Sequence, residues 1–181
     1  KYNTTDTTRI WVSDFVSSKS AIYNILGKYA DEDVRIYTIE DQRESDNASL
    51  DETFYPFIGK TYKFAKQLPQ EKMIKFISSL DIGVFDAYKR ENVFYILFMI
   101  YMGKKVFLRE KHPWYDFLKK QGCKVYSIES IPQTSFSEFI RKDTNPDPNN
   151  WIGKYYSRES VTEKWRTIFD ELSTTLRERK K

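Results

Sequence analysis

Short runs of β-branched and aromatic residues alternate along this chain with segments whose apolar residues recur at helical spacing, and that alternation admits few folds. Arg9–Ser13 (RIWVS) reads as a strand, followed by a helix from about Ser18 to Tyr29 with Ile22, Ile25, Leu26 and Tyr29 on one face. Val34–Ile39 (VRIYTI) is a second strand. Glu40 to Thr53 is rich in Asp and Glu without apolar periodicity and reads as a long surface loop, and Phe54–Ala65 contains a short strand. Pro69-Gln70-Glu71 opens a helix, with proline and acid where a helix start favours them, and Met73, Ile74, Phe76 and Ile77 form its buried face. A strand in Leu80–Phe85, a polar turn over Asp86–Asn92 and a helix over Val93–Met102, apolar nearly all round and ended by Gly103, come next. Lys105–Leu108 is a strand, Pro113–Gln121 a helix closed by Gly122, and Lys124–Tyr126 a further strand.

This order predicts an α/β fold: a Rossmann-like open parallel sheet of about five strands, with helices on both faces and a C-terminal helix. Residues 1–142 form the sheet domain, 143–150 (DTNPDPNN) a linker, and 151–181 a helical extension. Ser160-x-x-Glu163 has the form of a capping box, and Val161, Trp165, Ile168, Phe169 and Leu172 follow at helical spacing. Ligands of open parallel sheets bind beyond the carboxyl ends of the strands. That rule nominates the turns Ser13–Ser18, Glu40 onward, Asp86–Asn92 and Arg109–His112.

Composition narrows the chemistry. A length of 181 residues suits one domain, and no apolar run is long enough to span a bilayer. A net charge of +4 falls short of a dedicated nucleic-acid binder, so no nucleic-acid partner is expected. The basic tail Arg177-Glu178-Arg179-Lys180-Lys181 reads first as a solvated helix end and second as a contact for an anionic membrane surface. Cys123 and His112 are the only residues of their types, which rules out an internal disulfide and leaves no metal set. Cys123 reads as a small buried hydrophobe. Neither a phosphate-binding Gly-x-x-x-x-Gly-Lys loop nor a Gly-x-Gly-x-x-Gly after the first strand is present, and no cofactor is expected. A Gly-x-Ser-x-Gly elbow is also missing.

What remains points to anion binding. Lys89-Arg90-Glu91-Asn92 joins a buried strand to a buried helix and so holds two cations at a helix N-terminus, against the dipole preference. Either this is an ordinary charged turn, or a bound diphosphate compensates the cations. Ser17, Ser18 and Ser20, at the first strand-to-helix turn, suit capping or phosphate oxygens. Arg109 and His112 lie at the same edge; His112, just before Pro113, is either a polar helix-start residue or a donor to phosphate or sugar hydroxyl.

The run Ser79–Phe85, then Lys89-Arg90, then Ile100–Leu108 (IYMGKKVFL), then His112-Pro113-Trp114, resembles the bacterial lipid-linked N-acetylfucosaminyltransferases. The similarity covers roughly Arg9 to Ile131, with weaker support around Asn149-Asn150-Trp151 and Trp165. It implies the donor-binding, C-terminal half of a two-domain GT-B-type enzyme that moves a TDP- or UDP-linked deoxyamino sugar onto a lipid-linked or glycan acceptor. It further implies a cytoplasmic setting, peripheral at the inner face of the membrane. The acceptor-activating base of such enzymes comes from the missing N-terminal domain, so no residue here is assigned that role. The chain does not begin with Met and reads as a piece of a longer protein. Where the family's turn carries glycines, this chain has Asn92, Val93 and Phe94, so either the side chains of Lys89, Arg90 and Asn92 replace the backbone contacts or donor binding is altered. Position at the carboxyl edge and residue chemistry together nominate Ser17, Ser18, Lys89, Arg90, Asn92, Arg109 and His112 as substrate-binding residues. The competing class is a non-catalytic α/β interaction module. A receiver-like domain would want clustered acids at the end of the first strand, and only Asp14 stands there.

Overall fold

Each apolar run finds its neighbours in one parallel sheet. The computed structural model describes residues 7–12, 19–39, 60–64, 69–86, 93–142 and 148–178. Its strands are β1 (Thr8–Val12), β2 (Val34–Ile39), β3 (Thr61–Phe64), β4 (Ile82–Phe85), β5 (Lys105–Leu108) and β6 (Tyr126–Ser127). They lie in the order β3-β2-β1-β4-β5-β6, every pair parallel. The sixth strand is β3, the short strand expected within Phe54–Ala65. The last strand starts later than expected, at Tyr126, and is two residues long.

Helices α1 (Lys19–Leu26), α2 (Gln70–Ser78), α3 (Val93–Tyr101), α4 (Pro113–Lys120) and α5 (Phe136–Ile140) accompany the sheet, with α6 (Pro148–Tyr156) and α7 (Arg158–Glu178) after it. The helix after β1 tightens at Gly27 into a 3₁₀ turn through Tyr29. A second 3₁₀ segment spans Ile128–Gln133.

Alternation along the strands separates two cores. Ile10, Val12, Ile36, Ile82, Val84 and Phe107 meet Ile22, Tyr23, Leu26, Tyr29 and Phe139 on one face. Trp11, Phe85, Val106 and Leu108 meet α2, α3 and α4 on the other through Met73, Ile77, Met99 and Leu118. Burial on both faces is the reason these strands read as continuous apolar runs rather than alternating ones. Ile74, expected on the buried face of α2, is exposed: it lies at the edge of the stripe that Met73, Phe76 and Ile77 define.

Glycine is favoured at three places. A Cβ on Gly83 would stand 2.6 Å from Met99 Sδ and 2.6 Å from Phe85 Cε2, so the bare backbone of β4 lets α3 approach. Gly103 and Gly122 take φ of 68° and 79° and end α3 and α4, as expected.

The opposite end of the sheet is tied by side chains that satisfy backbone carbonyls. Lys28 Nζ donates to Pro132 O (2.7 Å) and Thr134 O (2.8 Å), and Tyr29 Oη donates to Thr134 O (2.6 Å). Burial, then the nearby Glu138 charge, pushes the Tyr29 hydroxyl up to about 12.

Beyond the sheet, Ile152 of α6 is buried in the second core. The Ser160 N–H donates to Ser157 Oγ at 3.1 Å, so Ser157 caps the start of α7 and Ser160 lies inside it. Among the described residues a capping box is instead formed by Ser135 and Glu138, at the start of α5.

Candidate functional site at the carboxyl edge of the sheet

Register places the site. Phe85 is opposite Leu108, and Leu108 is opposite Ser127, so the next residues along β4 and β5 emerge side by side at the carboxyl edge. These residues are Asp86 and Arg109. Asp86 has a side chain only 3% exposed and forms an ion pair with Arg109 Nε. Arg109, 28% exposed, also places Nη1 3.5 Å from Glu129 Oε1, just past β6.

Glu129 is fixed in turn. Ser127 Oγ donates to its Oε2 at 2.7 Å, and the backbone N–H of Glu110 donates to the same oxygen at 3.3 Å. Burial pushes the Glu129 carboxyl up, but these hydrogen bonds and the Arg109 charge outweigh it and hold the group below the usual carboxylate range. Three adjacent strand ends are thus joined by two carboxylates around one guanidinium. Asp86 Oδ2 meets no hydrogen-bond donor in this arrangement. With both acids ionised, the cluster carries one net negative charge. Its chemistry is that of a hydrogen-bond acceptor.

His112 serves its own helix. Its Nδ1 accepts from the Trp114 N–H at 3.1 Å, making it the N-cap of α4 ahead of Pro113, and its backbone N–H donates to Arg109 O at 2.9 Å. An accepting Nδ1 puts the imidazole proton on Nε2. The ring is 3% exposed.

Of the seven residues nominated from sequence, Ser17, Ser18, Lys89, Arg90 and Asn92 lie outside the described residues. The structure brings together Arg109 and His112, through the turn that follows β5. Neither presents a free charge to solvent. The strands that precede the other nominated turns, β1 and β4, are neighbours, and between them the strand order reverses direction. Such a reversal is where open α/β sheets leave a crevice for ligand.

Asp86 and Glu129 were missed as members of the edge cluster. Asp86 looked like the first residue of a polar turn. The available signal was a lone acid directly after a fully apolar strand; its pairing with Arg109 depends on strand register, which the sequence does not state.

Among the described residues no group of three or more His, Cys, Asp or Glu stands ready for a metal, and no helix is long and apolar enough to cross a membrane. Burial pushes the Cys123 thiol up, as suits a packed side chain rather than a nucleophile.

No protein-family model matches the chain, and no curated protein matches it. Among solved structures, a putative UDP-N-acetylglucosamine 2-epimerase from Listeria monocytogenes is similar over 87% of this chain and 47% of its own, at a TM-score of 0.54 and 11% identity. The apo form of the glycosyltransferase GlyE from Streptococcus pneumoniae covers 70% of this chain and 30% of its own, at a TM-score of 0.43 and 14% identity. This chain spans about half the length of the epimerase. At that identity the likeness is one of fold: a Rossmann-like α/β sheet domain.

Proposed function

We propose that this chain is the nucleotide-sugar-binding half of a glycosyltransferase that passes a deoxyamino sugar from a TDP- or UDP-linked donor to a lipid-linked or glycan acceptor. The observation that carries the reading is the strand order β3-β2-β1-β4-β5-β6, whose reversal lies between the strands preceding the Ser17–Ser18 and Lys89–Asn92 turns. In this reading the donor diphosphate binds Lys89, Arg90 and Asn92, which precede α3 in sequence, and Ser17 and Ser18, which follow β1 in sequence, supply further oxygen contacts. Two cations and a helix N-terminus suit the negative charge that grows on the leaving nucleoside diphosphate as the glycosidic bond breaks. The Asp86–Arg109–Glu129 cluster and His112 form the neighbouring wall, where the exposed Glu129 carboxylate accepts from sugar hydroxyls. A facing N-terminal domain supplies the acceptor site and base, so this chain alone does not turn over.

The test is titration with a panel of nucleoside diphosphates and nucleotide sugars. At least one ligand should bind with sub-millimolar affinity, and Arg90→Ala should weaken it about tenfold, since a charge-assisted hydrogen bond is worth about 1.5–3 kcal/mol. Equal affinities for wild type and Arg90→Ala would move the site to the Ser17–Ser18 turn. No binding by any member of the panel would favour the non-catalytic interaction module.

A further inference from the structure

Helix α7 presents an apolar stripe that nothing on the described chain covers. Seven of the twelve exposed large hydrophobic side chains among the described residues fall between Tyr155 and Leu172. Trp165 and Phe169 stack with centroids 5.9 Å apart, yet are 55% and 60% exposed. Every residue from Val161 to Leu172 is exposed, so the helix stands off the body along this stretch. A helix in water is held mainly by packing of its apolar face, so a stripe of this size implies a cover.

The spacing and the flanking charges identify that cover. Val161, Trp165, Ile168 and Leu172 are separated by four, three and four residues, the seam spacing of paired helices. Lys164 and Glu171 lie on the same shoulder of this seam, one heptad apart. Lys164 is pinned there, its ammonium donating to Tyr155 O at 3.1 Å and lying 4.5 Å from the Tyr155 ring centroid. Arg166 pairs with Glu163 at 2.7 Å.

We infer that α7 is a dimerisation helix that pairs antiparallel with α7 of a second copy of this chain. In that register Val161 meets Leu172 of the other copy, and Trp165 meets Ile168, so each large side chain faces a smaller one. Lys164 of each copy then faces Glu171 of the other, so opposite charges meet twice across the two-fold axis. Parallel pairing would set Trp165 against Trp165 and leave Lys164 facing Phe169, with no charge complement. A membrane surface would use the apolar stripe but not the matched Lys164–Glu171 spacing.

Sedimentation velocity across a micromolar concentration series decides the matter. The wild type should pass from monomer to dimer, and Trp165→Glu should remain monomeric with unchanged far-UV circular dichroism. Lys164→Glu and Glu171→Lys, each alone, oppose like charges twice and should weaken association about fivefold or more. Mixing those two variants should restore it, since the heterodimer regains both opposite pairs. A wild type that stays monomeric at all concentrations would overturn the inference. So would charge variants that match the wild type, a mixture that fails to recover, or a monomer that binds anionic phosphatidylserine vesicles through Trp165.

Discussion

Removing the charge of Asp86 gives a defined test of the carboxyl-edge cluster. Its carboxylate is 3% exposed, and its main compensation is the Arg109 guanidinium. Breaking a fully buried ion pair by removing one partner typically costs about 3–5 kcal/mol, because the other charge is left stranded. Arg109 is not fully stranded in Asp86→Asn: it is 28% exposed and keeps Glu129 at 3.5 Å. The expected loss is therefore about 2 kcal/mol. The converse change, Arg109→Leu, strands the enclosed Asp86 carboxylate and should cost more, about 3–4 kcal/mol by the same reasoning. Replacing both, as Asp86→Leu with Arg109→Met, should cost less than Arg109→Leu alone. Urea denaturation followed by far-UV circular dichroism measures all three, with unchanged m-values confirming that the denatured state is unaltered. Equal losses for the two single variants, or a loss under about 0.5 kcal/mol for Asp86→Asn, would refute the burial asymmetry on which the reasoning depends.

Gly83→Ala should destabilise by about 1–3 kcal/mol through overpacking against Met99 and Phe85, and Met99→Ala in the same chain should recover part of that loss in a double-mutant cycle. His112→Ala should cost at least about 1 kcal/mol for the lost N-cap of α4, whereas His112→Asn, which keeps an acceptor, should lose less; thermal melts compare them. Tyr29 has a folded-state value raised to about 12 from 10.0. Its contribution is complete below pH 10 and is lost as pH rises toward 12, so absorbance titration at about 295 nm should show a late-ionising component that Tyr29→Phe removes. Cys123 should resist alkylation in the native state at neutral pH and react on unfolding, since burial disfavours its thiolate.

The sequence by itself determined the order of elements and therefore the fold class. Apolar runs such as Ile82–Phe85 and Lys105–Leu108, separated by a helix closed at Gly103, favour a parallel pair with a helical crossover, the arrangement observed. The helix ends were equally legible, because glycine at positive φ and proline at a first turn act locally. The capping box at Ser160 was misplaced for a related reason: Ser-x-x-Glu also occurs inside helices, and only the observed bond from the Ser160 N–H to Ser157 Oγ picks out the cap. Tertiary structure alone decided which residues meet at the carboxyl edge. Asp86, Arg109 and Glu129 are far apart in sequence, and a shift of one residue in the β4–β5 register would separate them. It also decided that the helical stripe of α7 faces solvent, since periodicity marks an apolar face without saying whether the same chain covers it.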